Sequence, residues 1–283
     1  MVSSAVERAA VLAAARQVDP GGLLVPVDAA ARVDLDAWAQ AVARPGVALA
    51  ALQHANGEVG TRQPVRQAVE ACREVGVPLL VDAGASVGHE DVGDAWDVLA
   101  ADPADWGAPA GIGVLAVRSR VRVRPVLPED EDPWAPGGVS VPLAVAAAAA
   151  LRAALTDRAD ADDRRRGMIS DLRRSISAVR DVDVLGDPED RLPHVLTFSC
   201  LYVDGESLVD ALDRRGFAVG SGSACTSSTL EPSHVLAAMG ALTHGNVRVA
   251  LARETTIDDV ERFAAAVGPA VDSVRAMLGA GEL

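Results

Sequence analysis

One cysteine of this chain lies where a thiol could react. Cys225 stands in a run of glycines, serines and threonines at 220–229, and such small polar residues predict a loop that exposes the sulfur. An accessible thiolate can attack sulfur or carbon centres. Composition alone leaves a second interpretation equally open, in which Cys225 is a small residue that fills space in a turn.

Two charged residues stand where α/β proteins bind ligands. Asp82 follows the apolar run 77–81, which puts a carboxylate at the C-terminal end of a buried strand. A turn or helix-cap aspartate is an equal alternative. Arg248 lies within the predicted strand 246–251, where its guanidinium could donate two parallel hydrogen bonds to a carboxylate of substrate or protein.

The remaining cysteines and the histidines indicate no further chemistry. Cys72 falls on the helical stripe of Val65, Ala68 and Val69, so we expect a buried thiol there. Cys200 ends a predicted strand and is interpreted as structural. The cysteines show no C-x-x-C spacing and the five histidines show no metal-ligand spacing, so no metal site is predicted.

Charge and composition exclude several classes of protein. The sequence contains no lysine, so all 26 residues of its Lys+Arg count are arginines and no lysine imine with a carbonyl compound can form. A formal net charge of −14 argues against nucleic acid or an anionic membrane as partner. The first ten residues lack a secretory pattern, and the longest apolar run, 141–151, is shorter than the roughly 20 residues of a membrane span. We expect a cytoplasmic protein, with 141–151 in a buried helix.

The order of elements predicts an α/β fold with a parallel or mixed sheet covered by helices. Predicted strands lie at 48–53, 77–81, 194–202, 217–219 and 246–251, and predicted helices lie at 64–74, from 141 onward, at 205–215, from about 231 and at 257–267. The Pro-rich acidic stretch 125–136 is predicted to be a surface loop. The charged segment 157–166 is interpreted as a solvated helix face that leads to a second domain.

Six segments together resemble the cysteine desulfurases, the class V aminotransferase branch of the fold-type-I pyridoxal phosphate (PLP) enzymes. The longest is SGSACTSSTLEPSHVL at 221–236, which is similar to that family's active-site cysteine loop and the helix after it. The others are NGEVGTRQP at 56–64, VDAGASVG at 81–88, GIGVLAVR at 111–118, DGESL at 204–208 and NVRVAL at 246–251. The resemblance therefore covers almost the whole chain.

The resemblance implies a fold and a set of roles. It implies a large PLP-transferase-like domain at 1–157, built on a mixed, mainly parallel sheet, and a smaller C-terminal α/β domain at 158–283. Cys225 would be the thiol that becomes a persulfide, and Arg248 would hold the substrate carboxylate. Asp82 would pair with the pyridine nitrogen of the cofactor.

The departures from the family concern the residues that bind the cofactor. At the position of the imine-forming lysine the chain has Asp105, a carboxylate that can form no imine but could move a proton. Arg8 stands for the histidine that stacks on the cofactor ring, Gly57 for an asparagine and Ala85 for a glutamine. The resemblance also implies that the family's N-terminal quarter, with its phosphate-binding turn, has no counterpart here. We therefore expect no stable PLP binding by this chain alone.

Three functional hypotheses follow from the resemblance. The first is a degenerate desulfurase, a pseudoenzyme that carries sulfur as a persulfide on Cys225 and passes it to a sulfur-acceptor protein. The second is a non-catalytic subunit of a homo- or heterodimer, paired with an active desulfurase or a sulfur acceptor. The third is an enzyme that retains PLP-dependent desulfurase activity with an atypical lysine-free site, using Asp105 or another group as base.

Overall fold

The structure, a computed structural model of the chain, describes residues 1–124, 135, 138–221 and 232–279. Its strands are β1 (Val2–Ser4), β2 (Leu23–Val25), β3 (Ala50–Gln53), β4 (Leu79–Asp82), β5 (Val98–Ala101), β6 (Val114–Val117), β7 (Val182–Val184), β8 (Val195–Cys200) and β9 (Asn246–Ala250). Its helices are α1 (Ala9–Val18), α2 (Leu35–Val42), α3 (Val65–Glu74), α4 (Val141–Thr156), α5 (Arg158–Ser177), α6 (Gly205–Asp213), α7 (His234–Ala238) and α8 (Ile257–Met277), with a short 3-10 helix at Pro103–Trp106.

The first sheet has six strands in the order β2-β1-β3-β4-β5-β6. Its first five strands are parallel and only β6 pairs antiparallel, with β5. This confirms the predicted mixed, mainly parallel sheet. Because parallel strands share one direction, the residues that follow β1, β3 and β4 meet at one edge of the sheet, where α/β folds bind ligands.

Helices cover this sheet because their apolar side chains share one face. In α3 the residues Val65, Ala68, Val69 and Cys72 are all buried, as their helical spacing predicts. The helix α2 is capped by Asp34, whose carboxylate accepts hydrogen bonds from the backbone N–H groups of Asp36 and Ala37, both at 3.0 Å.

The second sheet has three antiparallel strands in the order β7-β8-β9. The apolar core beside this sheet is separate from the core of the first sheet and contains Leu172 of α5, Phe198 of β8 and Val271 of α8. Along β9, Val247 and Val249 point into this core, so Arg248 points to the opposite face. The alternation of side chains along the strand thus places Arg248 on the face toward Gly57, which follows β3.

The structure contradicts three local predictions. Residues 217–219 form no strand; instead the neighbouring Gly220 makes a single bridge to Arg248. The apolar start of α4 is not buried, since Val141 is 69% exposed and Val145 is 60% exposed. The segment 157–166 is not wholly solvated, because the aliphatic and guanidinium parts of Arg165 are buried.

Helix ends also differ from the predictions in physically clear ways. The helix expected from about 231 begins at His234, where the Ser233 side chain accepts from the N–H of Leu236. The last helix begins at the predicted capping box of Thr256 and Asp259 but runs on to Met277, past Pro269. Buried apolar residues after the proline, including Val271, hold this extension against the core.

Among the described residues, no helix is both long enough and apolar enough to cross a membrane. The helices α4 and α5 meet at Asp157, which serves as the end of one and the start of the other. The division into domains at 1–157 and 158–283 stays a prediction.

Candidate active site

An ion-paired triad lies at the carboxyl edge of the first sheet. Arg8, at the start of α1, places its Nε 3.3 Å from Oδ2 of Asp82, the last residue of β4. Its Nη2 lies 3.1 Å from Oδ2 of Asp105 in the 3-10 helix. Burial opposes the positive charge, but the two carboxylates raise the pKa of Arg8 above its usual value. A guanidinium thus bridges two of the predicted site residues.

Both carboxylate oxygens of Asp82 have partners. Oδ2 faces Arg8, and Oδ1 accepts a hydrogen bond of 2.9 Å from the backbone N–H of Gly84. A Cβ at residue 84 would lie 2.1 Å from Nη2 of Arg8, so a larger residue there would displace the guanidinium from its present position. Gly84 therefore leaves room for the Arg8 guanidinium beside Asp82.

The 3-10 helix that carries Asp105 is fastened on both sides. Asp102 caps it by accepting from the N–H of Ala104 at 3.0 Å, and the buried indole of Trp106 donates from Nε1 to the carbonyl of Ala147 in α4 at 3.1 Å. His89 donates from Nε2 to the backbone carbonyl of Asp105 at 2.9 Å. These contacts fix the backbone from which Asp105 reaches Arg8.

A third carboxyl group, that of Glu7, lies behind the triad. Glu7 is fully buried, its Oε1 accepts from the backbone N–H of Gln53 at 2.8 Å, and its Oε2 has no partner among the described residues. The pKa of Glu7 is raised to about 8, chiefly by burial and also by the nearby charge of Asp82, against the lowering effect of the Gln53 hydrogen bond. At neutral pH the folded chain therefore holds a proton at Glu7.

Replacing Glu7 by glutamine is expected to stabilise the fold, and more so at higher pH. The unfolded glutamate loses its proton near pH 4.5, whereas the folded one keeps it to about pH 8. The native glutamate therefore costs stability that grows as pH rises through this window, at about 1.4 kcal/mol per pH unit, and is constant above it. Glutamine cannot ionise, so we expect a gain of up to about 3 kcal/mol at pH 7 and almost none at pH 4.5.

The measurement is the free energy of unfolding in urea at several pH values between 5 and 8.5 for the wild type and Glu7→Gln. The exposed pair Glu70 and Glu70→Gln is the matched control, for which we expect a small difference that does not change with pH. A Glu7→Gln gain that is flat with pH, or largest at low pH, would show that Glu7 is ionised in the folded chain.

Arg248 reaches the same region from the second sheet. Its Nη1 donates to the carbonyl of Gly57 at 3.4 Å. Gly57 in turn lies against Ala85, since a Cβ at residue 57 would be 3.4 Å from the Ala85 Cβ. Burial raises the pKa of the neighbouring Glu58, while a hydrogen bond from Ser233 and the charges of His234 and Arg248 lower it. Packing thus connects Arg248 to the Asp82 segment.

Both flanks of the cysteine loop are anchored at this site. Before the loop, Gly220 and Arg248 exchange two backbone hydrogen bonds, of 2.6 and 3.1 Å. After it, Ser233 donates from Oγ to Oε2 of Glu58 at 2.8 Å, and His234 donates from Nε2 to the carbonyl of Glu7 at 2.9 Å. Cys225 itself lies outside the described residues, so its predicted role stays a prediction.

The other two cysteines are buried, as expected. Burial raises the pKa of the Cys72 thiol to about 11 and that of Cys200 to about 12, so both are protonated at neutral pH. No group of three or more histidine, cysteine or acidic side chains within the described ranges could hold a metal ion.

Sequence reasoning found some of these residues and missed others. Asp82 and Asp105 were selected and come together, while Arg248 joins them through Gly57. The sequence marks Arg8 only as the replacement of a histidine, and it does not single out Glu7 or Gly84. The signal for Gly84 was its place two residues after Asp82, but the need for a missing Cβ appears only once Arg8 is placed.

Comparisons with known proteins agree with this architecture. The family described as Aminotransferase class-V matches residues 1–263. A cysteine desulfurase of Cereibacter sphaeroides is 34% identical over 98% of this chain and 74% of its own length, and one of Archaeoglobus fulgidus is 31% identical over 97% and 74%. In fold, the chain is similar to a NifS-like protein from Rickettsia africae, with a TM-score of 0.85, 18% identity and coverage of 96% of this chain and 75% of the other. The chain belongs to the class-V aminotransferase family and is a homologue of the cysteine desulfurases.

Proposed function

We propose that this chain works in sulfur transfer as a persulfide carrier and does not cleave the carbon–sulfur bond of cysteine with a lysine-bound cofactor. Its sulfur would be carried on Cys225. One observation carries the proposal: Asp105, which the resemblance puts at the position of the family's imine-forming lysine, has its carboxylate paired with Arg8. Because the chain has no lysine anywhere, no other residue can replace that amine by its side chain.

The residues present do not fit PLP as the family binds it. Asp82, which the resemblance pairs with the pyridine nitrogen, has both oxygens engaged, by Arg8 and by the N–H of Gly84. Ala85 and Gly57 have no polar side chains to donate hydrogen bonds to the ring substituents. We therefore propose that Asp82 is a vestige of the cofactor site, and no step of the function proposed here passes through PLP.

Sulfur transfer on a thiol needs no cofactor. The thiolate of Cys225 would attack the terminal sulfur of a donor persulfide, R–S–SH. The donor S–S bond breaks as the new bond to Cys225 Sγ forms, the R–S⁻ group leaves with the electron pair, and the proton stays on the transferred sulfur. A second exchange would pass that sulfur to a thiolate of the acceptor, so that no net oxidant or reductant is consumed.

The surroundings of the loop support this chemistry. Arg248 anchors the residue before the loop through its backbone, and its guanidinium is half-buried beside Gly57. We propose that this guanidinium holds the carboxylate of the donor or of the substrate, since Arg binds carboxylates through two parallel hydrogen bonds. The positive charge would also favour the thiolate form of a cysteine brought near it.

The proposed partner is a sulfur-acceptor protein, with the chain acting in the cytoplasm. The net charge of −14 favours a partner with a basic surface, because complementary charge speeds association. A homo- or heterodimer with an active desulfurase is the alternative form of this hypothesis. The two differ in one requirement: a carrier needs Cys225, whereas a structural subunit needs only the folded chain.

The test is the release of alanine from cysteine by the purified protein with PLP added. We expect no alanine above the amount formed by PLP in buffer, and the same result for Cys225→Ala. Turnover that depends on both cysteine and Cys225 would refute the proposal and would show that a lysine-free site runs the family's reaction.

A further inference from the structure

The Arg8 guanidinium occupies the place that the resemblance assigns to the contacts of the cofactor ring. It stands at the position of the ring-stacking histidine, it pairs with Asp82 at 3.3 Å, and it pairs with Asp105 at the lysine position at 3.1 Å. One side chain thus stands at one position that the resemblance assigns to the cofactor's contacts and engages two others, Asp82 and Asp105.

We propose that Arg8 is an internal counter-ion for Asp82 and Asp105 that closes the site of this triad to PLP, both to covalently and to non-covalently bound PLP. The proposal concerns the triad alone and does not depend on sulfur carriage by Cys225. It accounts for two departures from the family, Arg8 and Asp105, by one arrangement, and Gly84 leaves room for the guanidinium.

Arg8 is held in place mainly by charge. Gly84 leaves room for its guanidinium, since a Cβ at residue 84 would lie 2.1 Å from Nη2 and would displace it. A cation at the N-terminus of a helix is unfavourable, because the helix dipole is positive there, and Arg8 precedes the first turn of α1. The carboxylates of Asp82 and Asp105 offset this cost, so these two residues, and not the helix, stabilise the position of the arginine.

The same arrangement disfavours the cofactor because Arg8 already makes the contacts that a bound ring would need. Its guanidinium is paired with both Asp82 and Asp105. A phosphate-bearing ring would have to break the Arg8–Asp82 pair and would find no lysine amine in exchange. Breaking a partly buried pair without replacing it leaves an uncompensated charge, which is costly.

The decisive experiment reverses the arrangement in the full-length chain. The double variant Arg8→His with Asp105→Lys removes the guanidinium and supplies the amine beside Asp82. We expect wild-type protein to show no saturable PLP binding, and the double variant to bind PLP at least about 100-fold more tightly, with the visible absorption of a lysine imine. Borohydride reduction and peptide mass spectrometry should place the label at residue 105.

The lysine-free background makes the control sharp. Asp183→Lys puts the chain's single lysine on an exposed position of β7, far from the triad in sequence, and reports the ordinary reaction of an exposed amine with PLP. Asp105→Lys alone leaves Arg8 in place and should bind no better than this control. A second variant, Arg8→Ala, frees one oxygen of Asp82 and should bind PLP without a covalent bond at least about 10-fold more tightly than wild type, by fluorescence titration.

Two results would overturn the proposal. One is saturable binding of PLP by the wild type at micromolar concentration. The other is the absence of any gain in both Arg8 variants while circular dichroism shows them folded; if the double variant does not fold, Arg8→Ala decides alone. Neither result bears on persulfide formation at Cys225, so the failure of this proposal can be told from the failure of the proposed function.

Discussion

Replacing Cys225 by serine is expected to abolish sulfur loading of the purified chain. In the proposed function the sulfane sulfur bonds to Sγ of Cys225, and a serine hydroxyl, with its high pKa, does not form the corresponding anion at neutral pH. Incubation with a low-molecular-weight persulfide such as glutathione persulfide, followed by intact-protein mass spectrometry, measures the loading. The wild type should gain one sulfur atom per chain and Cys225→Ser none.

The other cysteines supply the matched controls. Cys72 and Cys200 are buried and their pKa values are raised by burial to about 11 and about 12, so they carry almost no thiolate at pH 7. Cys72→Ala and Cys200→Ala should therefore load as the wild type does, provided that they fold. Undiminished loading of Cys225→Ser, or loss of loading only in a buried-cysteine variant, would refute persulfide carriage at Cys225.

Replacing Gly186 by alanine is expected to destabilise the fold by about 3–5 kcal/mol, because backbone strain and a steric clash act together. Gly186 has a φ of +76°, and a Cβ there would lie 2.3 Å from the backbone carbonyl oxygen of Val59. The backbone N–H of Val59 donates to the side-chain oxygen of Asn56 at 2.9 Å. This segment also contains Gly57, which Arg248 contacts. The clash is with backbone, which cannot move aside as a flexible side chain can.

Gly216→Ala is the matched control for this prediction. Gly216 has a similar φ of +86°, but a Cβ there would meet no atom within 4 Å. Only the cost of the left-handed backbone remains, about 1 kcal/mol. The measurement is the free energy of unfolding in urea for both variants. Equal losses would mean that the contact between Gly186 and Val59 relaxes without cost.

The fold was largely predictable from sequence. The apolar runs that became β3 and β4, the helical stripe of α3 and the capping box of α8 each follow from local chemistry, because burial period and cap hydrogen bonds depend on residues close together in the chain. Resemblance to the cysteine desulfurases supplied the fold class, and the family and fold class are confirmed. Predictions failed where tertiary packing overrode a local pattern, as at 217–219 and in the exposed start of α4.

The sequence by itself determined which chemistry is impossible. The absence of lysine excludes a lysine imine in any fold, and the resemblance of the matching segments predicts Asp105 at the position of the family's lysine. Only the tertiary structure decided that the carboxylates of Asp82 and Asp105 pair with Arg8. These three residues are distant along the chain and meet only at the sheet edge. The same holds for the proton on Glu7, since a pKa of about 8 comes from complete burial beside Asp82, and burial is a property of the fold rather than of any local pattern.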